Sequence, residues 1–353
     1  MSETDSIFMK RAIEIARLGD GLVSPNPMVG AVLVKAGSIV GEGHYRYDKL
    51  KHAESHAIEM AGHQSNGATL YCSLEPCCHH GRTSPCTDAV ISAGIRRAVI
   101  AIKDPNPLVN GRGIEQLREA GIEVEVGLFE EEAARLNECY FKFITGGGPF
   151  VHGIIQYPES ESRGRWIPSP EFLDAVAGYD SLILGSSPDL NRMFIEARLK
   201  RDRKKTFIIA GTADDSDRCR ELLPGLDEAR LKFVPLAHRT GLRAVDAPSE
   251  SGNKPANDSA APNLDSTLEM LGQLGVISVL TAPGVFDPRI PRNFEQLDKL
   301  TLAVPLPEGG AGGEVSVSQL AVGDLEFDLQ DVSICEAKGY YEFTGYPQLR
   351  GVA

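Results

Sequence analysis

The segment TLYCSLEPCCHHGRTSPCTDAVISA, residues 69–93, carries the most decisive pattern in the chain. Thr69 to Leu74 is an apolar run of strand length, and Pro85 to Ala93 has helical spacing stopped by Gly94. The loop between them holds Cys77, Cys78, His79 and His80, and Cys86 follows at the start of the helix. Working outward, the order strand, loop, helix repeats. Upstream, the pattern predicts a helix over Ile7–Leu18, a hairpin of Val29–Val34 with Ser38–Val40, and a short helix over His52–Ala61. Downstream, it predicts strands at Arg97–Ile102 and Ile122–Val126 around a helix at Gly113–Ala120. Strands alternating with helices define an α/β layer sandwich.

The chemistry lies in two segments, His52-Ala53-Glu54 and Pro76-Cys77 through Pro85-Cys86. One imidazole and two thiolates, His52, Cys77 and Cys86, make a three-ligand zinc set, and a fourth position left for water marks a catalytic site. Zinc deaminases carry an H-x-E…P-C-x-x-C signature in which the Glu is no ligand but the general acid/base. This chain matches H-x-E and P-C, with a longer interval before the second cysteine. Positions two apart on a helix diverge by ~200°. His52 and Glu54 therefore converge on one metal only if the helix begins there. Ser84 as N-cap and Pro85 at the first helical position would likewise bring Cys86 to a helix start, where the dipole favours thiolate. Zinc acidifies water to a pKa of about 7; Glu54 would take that proton and pass it to a ring nitrogen and the departing amine. A closed structural zinc site, with His79, His80 or Cys78 as fourth ligand, is the non-catalytic alternative. His56 reads as helix packing, since the glutamate of H-E-x-x-H is missing, and His63 as solvent-facing. Cys72, Cys139, Cys219 and Cys335 read as small core residues.

Composition narrows the classes further. The chain has 353 residues, 42% hydrophobic and 24% charged, enough for two ordinary globular domains. The glycines of Gly146-Gly147-Gly148-Pro149 place the break, giving domains at 1–147 and 148–353. A net charge of −13 disfavours nucleic acid and anionic membranes as partners. No apolar run reaches the ~18 residues of a membrane helix, and the acidic start lacks a signal peptide's apolar core, so a cytoplasmic protein is expected. Four of seven Cys lie between Cys72 and Cys86, and six of eight His between His44 and His80, which favours a metal site in a reducing compartment over a disulfide framework. In the second half, strands are expected at Phe150–Ile155, Ser181–Gly185, Thr206–Ala210, Lys232–Leu236, Val276–Leu280 and Thr301–Val304. Helices are expected at Pro170–Ala177, Ser266–Gln273 and Phe294–Leu300, and a polar linker between Ala247 and Asp265. The Gly309–Gly313 run lacks the G-x-G-x-x-G order and reads as a turn.

At these residues the first half resembles the bifunctional riboflavin-biosynthesis family RibD, a diaminohydroxyphosphoribosylaminopyrimidine deaminase fused to a pyrimidine reductase. The matching pieces, in family order, are Pro25-Asn26-Pro27-Met28-Val29-Gly30, Gly41-Glu42-Gly43-His44, His52-Ala53-Glu54, Leu74-Glu75-Pro76-Cys77 through Pro85-Cys86, and Asp104-Pro105-Asn106-Pro107. The long Cys77–Cys86 interval is a family trait. The resemblance implies a cytidine-deaminase-like α/β/α sandwich followed by a divergent dihydrofolate-reductase-like α/β domain. It implies zinc on His52, Cys77 and Cys86, Glu54 as proton shuttle, and substrate contacts from Asn26, His44, His79, Arg82, Asp104 and Asn106. That set suits a small phosphoribosyl pyrimidine, with Arg82 and imidazoles for the phosphate and amides and a carboxylate for ring edges and hydroxyls. A homo-oligomer is also expected.

The resemblance implies NADPH-dependent ribose reduction in the second half, where Arg165-Trp166-Ile167 and Ser169-Pro170 resemble the family's tryptophan segment and assign Trp166 to the cofactor. Pro188-Asp189-Leu190 reads as the remnant of a longer loop. The family's first-strand lysine is absent from Val151–Gln156, its next segment is replaced by Tyr157–Ser162, and its late glutamate-glycine-glycine by Thr281-Ala282-Pro283-Gly284-Val285. Two readings stay open for this half: a working reductase, or a domain whose chemistry has lapsed. For the whole chain, the alternatives are a deaminase of another nucleobase or nucleoside and a non-catalytic zinc module.

Overall fold

Continuous apolar runs on three strands, buried on both faces, organise the first unit, Met1–Phe150. The computed structural model describes residues 2–81, 84–156, 166–185, 187–201, 207–211, 231–235, 264–283, 285, 295–305, 320–322, 325–337 and 340–349. Strands β1 (Gly30–Lys35), β2 (Ser38–His44), β3 (Thr69–Cys72), β4 (Arg97–Ile100) and β5 (Glu123–Val126) form one sheet in the order β2-β1-β3-β4-β5. β1 pairs antiparallel with β2 and β3, and β3, β4 and β5 run parallel. Side chains alternate across a strand, so the sheet feeds two cores. Ala31, Leu33, Leu70, Cys72, Ala98 and Ile100 face α2 (Ala53–Ala61), α3 (Cys86–Ser92) and α4 (Arg112–Glu119). Val32, Val34, Tyr71 and Val99 face α1 (Glu3–Ala16) and α5 (Glu130–Leu136) on the other side. This is a three-layer α/β/α sandwich. Fully buried leucines and isoleucines such as Leu70 and Ile100 each contribute about 1.5–3 kcal/mol of transfer free energy.

Two glycines set how closely α2 approaches the sheet. A Cβ on Gly41 or Gly43 would strike the carbonyl oxygens of Ala57 and Ala53 respectively. Their absence of side chain brings α2, and with it His52 and Glu54, down onto β2. A sixth helix, α6 (Glu138–Ile144), follows α5; the sequence pattern marked neither.

The second unit, Val151–Ala353, is built on a nine-stranded sheet ordered β12-β13-β14-β11-β6-β10-β7-β8-β9. Its strands are β6 (Phe150–Gln156), β7 (Ser181–Ile183), β8 (Phe207–Gly211), β9 (Leu231–Pro235), β10 (Ser278–Thr281), β11 (Lys299–Pro305), β12 (Leu320–Val322), β13 (Leu325–Ala337) and β14 (Tyr340–Leu349). Helices α7 (Pro170–Val176), α8 (Pro188–Arg201) and α9 (Leu264–Gln273) accompany it. β6 and β11 pair parallel, as do β10, β7, β8 and β9 in succession, whereas β11, β14, β13 and β12 are antiparallel.

Several expectations are corrected here. Residues 295–298 are not helical, and Lys299 and Leu300 open β11. The Leu297 and Leu300 spacing resembles a helix, but ladder pairing to β6 and β14 decides the conformation. Pro188 begins α8 rather than a loop, which suits proline's fixed φ at a helix start. Cys139 and Cys335 are partly exposed, not core, while Cys72 is buried as expected. Cys219, Tyr157–Ser162, Gly284, Gly309–Gly313 and nearly all of the 247–265 linker lie outside the described residues. No helix among the described residues is long and apolar enough to cross a membrane.

Candidate active site

His52 is the N-cap of α2, with extended backbone angles φ −73° and ψ 154°. The turn into the helix therefore separates its side chain from the helical course, and Glu54 can share its direction. His52 Nδ1 stands 3.1 Å from Cys86 Sγ and 3.6 Å from Cys77 Sγ. All three ligand atoms lie within 4.8 Å of one another. Cys78, His79 and His80 are not part of this cluster, so the described residues offer no fourth ligand of the kind a closed structural site requires. One nitrogen and two sulfurs converging on a point fit zinc, whose catalytic sites use three protein ligands.

The second helix start differs in detail from expectation. Pro85, not Ser84, is the N-cap of α3, and it makes no side-chain cap. Cys77 serves the orphan donors instead: the Cys86 N–H points to Cys77 Sγ at 3.4 Å, and the Thr87 N–H to the Cys77 carbonyl oxygen at 3.2 Å. The Cys86 thiol, this backbone donor and the His52 imidazole hold the Cys77 thiol down to about 4, the thiolate form that binds metal. The Cys77 sulfur in turn raises the His52 imidazole's pKa. Glu54 is 3% exposed, and burial, reinforced by Cys77, pushes its carboxyl up from the ordinary range. The upward shift favours the protonated form, which a proton shuttle must be able to hold in its cycle.

These groups open onto a cavity of about 410 Å³, within the range of small-molecule sites. Asn26, His52, Glu54, Cys77, His79, Asp104 and Asn106 all line it. His79 Nδ1 is buried and has no partner among the described residues. Asp104 is buried, and desolvation raises its carboxyl to about 6. Asp104 Oδ1 accepts from the Asn106 N–H at 2.9 Å, and Asn106 Oδ1 from the Leu108 N–H at 2.9 Å. Arg82 lies outside the described residues. His44 does not line this cavity; its ring sits 6.0 Å from that of His56. Neighbouring side chains on extended chain point to opposite sides, so the wall is formed by the next residue, Tyr45. Its ring meets His52 edge-on at 5.3 Å.

Tyr140 was not anticipated because nothing marked α6 in the sequence. Its hydroxyl donates to Asp104 Oδ1 at 3.4 Å and accepts from Asn106 Nδ2 at 3.3 Å. Gly113 was unanticipated as a packing residue. A Cβ there would collide with the Pro76 carbonyl oxygen, beside the ligand Cys77. Gly113→Ala is expected to cost about 1–3 kcal/mol in thermal unfolding and to weaken zinc retention; an unchanged melting temperature would contradict the contact.

In the second unit, Trp166 is 1% exposed and packs on Phe172 at 5.7 Å between ring centroids. Its Nε1 donates to Glu342 at 3.1 Å. Trp166 is thus enclosed in the core, and it is not among the residues that line the cavity in this unit. A cavity of about 260 Å³ in this unit is lined by His152, Tyr179, Lys299 and Glu342, near the starts of β6 and β11.

The fold and the three-ligand cluster define a zinc-deaminase class of domain, and residues 2–102 match the family described as the cytidine and deoxycytidylate deaminase zinc-binding region. The Aquifex aeolicus riboflavin biosynthesis protein RibD is 53% identical over 149 residues, 42% of this chain and 42% of that protein; the chain thus matches less than half the length of that relative. The Actinobacillus pleuropneumoniae RibD is 49% identical over 303 residues, 73% of this chain and 80% of that one. The chain belongs to the RibD family. The solved Thermotoga maritima deaminase/reductase is 28% identical with a TM-score of 0.70, covering 98% of this chain and 99% of that one.

Proposed function

We propose that the first unit is a zinc-dependent deaminase of riboflavin biosynthesis, acting on 2,5-diamino-6-(5-phosphoribosylamino)pyrimidin-4-one in the reducing cytoplasm. The observation that carries this reading is the His52–Cys77–Cys86 cluster beside buried Glu54 at the wall of a substrate-sized cavity. When bound, zinc supplies Lewis acidity that acidifies a water to a pKa of about 7. His52, Cys77 and Cys86 hold it. The Glu54 carboxylate would take one proton from the attacking water and give it to the pyrimidine nitrogen as the C–O bond forms, then take a second from the added hydroxyl and give it to the amine, which leaves as ammonia as the C–N bond breaks and the carbonyl forms. Asp104 and Asn106, braced by Tyr140, face the ring edge and sugar hydroxyls. His79 and Arg82 serve the phosphate, since charge-assisted bonds to anions are about twice as strong as neutral ones.

The test is ammonia release by the purified protein from the phosphoribosyl pyrimidine. Chelation is expected to abolish most of the activity, with zinc restoring it, because without the metal the attacking water keeps its ordinary pKa of about 15.7 instead of about 7. Faster turnover of a nucleoside or tRNA adenosine would favour the other-base reading. The family joins this deaminase to a reductase, so NADPH-dependent ribose reduction is the activity to test in the second unit, where Trp166 is enclosed and β6 carries no lysine. NADPH oxidation in the presence of the deaminated product would show a working reductase, and its absence a domain whose chemistry has lapsed.

A further inference from the structure

Helix α4 starts at Gly111, an N-cap with φ 94° and no side chain to offer its first backbone donors. Those donors are served from elsewhere in the chain. Glu75, just past β3, accepts the Gly113 N–H at 2.9 Å and the Ile114 N–H at 3.2 Å on Oε1. Its Oε2 accepts the Gly111 N–H at 2.9 Å and the Asp104 N–H at 3.1 Å. The residue is 3% exposed, and its own N–H reaches the Ile102 carbonyl at 3.0 Å. Four backbone donors meet two oxygens, at the positive end of a helix. One residue later the chain turns through Pro76 into the ligand Cys77.

We propose that Glu75 is a positioning residue for substrate recognition. It ties the loop bearing Asp104 and Asn106 to the strand end bearing Cys77, so that the ring-edge contacts are held at a fixed distance from the metal cluster. The inference rests on the deaminase reading above. A carboxylate is required because only it offers acceptors on both oxygens. A glutamine in its place presents an N–H₂ group to two of the four buried donors and leaves them unpaired. The Asp104 loop then loses its anchor, while Cys77 keeps its own partners, His52 and the Cys86 N–H.

The experiment is steady-state kinetics of the full-length zinc enzyme with zinc content and melting temperature measured alongside. Glu75→Gln is expected to raise KM roughly tenfold, the equivalent of one lost hydrogen bond of about 1.4 kcal/mol, with kcat within about threefold and zinc content unchanged. Glu75→Asp keeps both acceptor oxygens but draws them back by one methylene from donors now at 2.9–3.2 Å, so its KM should rise by an intermediate, several-fold amount. In an Asp104→Ala background, Glu75→Gln should add little further, since the effect runs through Asp104. Ile114→Val trims the same helix without touching the carboxylate, and should lower the melting temperature but leave KM alone. A wild-type KM in Glu75→Gln, a full additional rise in the Asp104→Ala background, loss of zinc, or an equal KM rise in Ile114→Val would each overturn the proposal. If Glu75→Gln does not fold, Glu75→Asp alone decides: a several-fold higher KM with zinc intact supports the role, and a wild-type KM overturns it. Failure of the deaminase reading would show differently, as no ammonia release from the unmodified protein.

Discussion

Glu54→Ala is expected to lower kcat for deamination by about 10²–10⁴-fold, the usual contribution of a positioned acid/base, while zinc content stays at the wild-type level. The reasoning starts from burial. Glu54 is 3% exposed, yet it is not one of the three residues whose atoms converge as ligands. A buried carboxyl that neither binds metal nor joins an ion pair is costly to keep, and its raised pKa reflects that cost, with burial as the main cause. Its position two residues beyond His52, across the N-cap turn, keeps it at the cluster without being bound there. Glu54→Gln separates charge from shape: it fills the same space but cannot accept and return a proton, so it should be as inactive as the alanine variant. Retained turnover in either, measured as ammonia release, would remove the shuttle role. Loss of zinc in both would instead make Glu54 part of the metal-holding framework.

The first unit's layers and metal cluster were legible because each rests on local rules. The continuous apolar runs Ala31–Val34 and Leu70–Cys72, whose side chains feed both cores, and the residue types at His52, Cys77 and Cys86 need no distant partner to be read. The helix starts were legible in outline, and the error of one residue at Pro85 arose because Cys77 supplies the cap from across the loop. Glu75 was visible only as part of a motif; that four donors from residues 104–114 converge on it is a tertiary fact. That Tyr45 and not His44 lines the cavity was hidden for a related reason, since strand parity decides which of the two faces it. In the second unit, β13 and β14 pair with each other and β14 with β11, and such pairing leaves weak local signal. The bond from the one tryptophan's indole N–H to buried Glu342, 176 residues away in sequence, is likewise a tertiary fact.

That enclosed tryptophan makes the second large prediction measurable: below neutral pH the second unit should lose stability, and His152 should account for much of the loss. His152 is 3% exposed in β6. Its Nδ1 lies 2.8 Å from the Tyr179 hydroxyl and its Nε2 2.8 Å from Thr301 Oγ1, which continues to Thr344 Oγ1 at 2.7 Å. Burial, with the charge of Lys299 second, drives the imidazole's pKa down to about 3. In the unfolded chain it returns to about 6.5. Between those values the unfolded state binds the proton and the folded state does not, so stability rises with pH across the window and falls as pH drops from 6.5 toward 3. At about 1.4 kcal/mol per unit, the full window amounts to roughly 4–5 kcal/mol. Trp166 is the only tryptophan and lies in this unit's core beside Phe172, which also meets the His152 ring at 6.2 Å. Its fluorescence during guanidinium unfolding therefore reports the second unit alone. His152→Gln can still bond to Tyr179 and Thr301 but has no proton to gain, so its midpoint should vary far less between pH 7 and pH 4 than that of the wild type. An equal acid slope in both proteins would shift the origin of the acid sensitivity to another group.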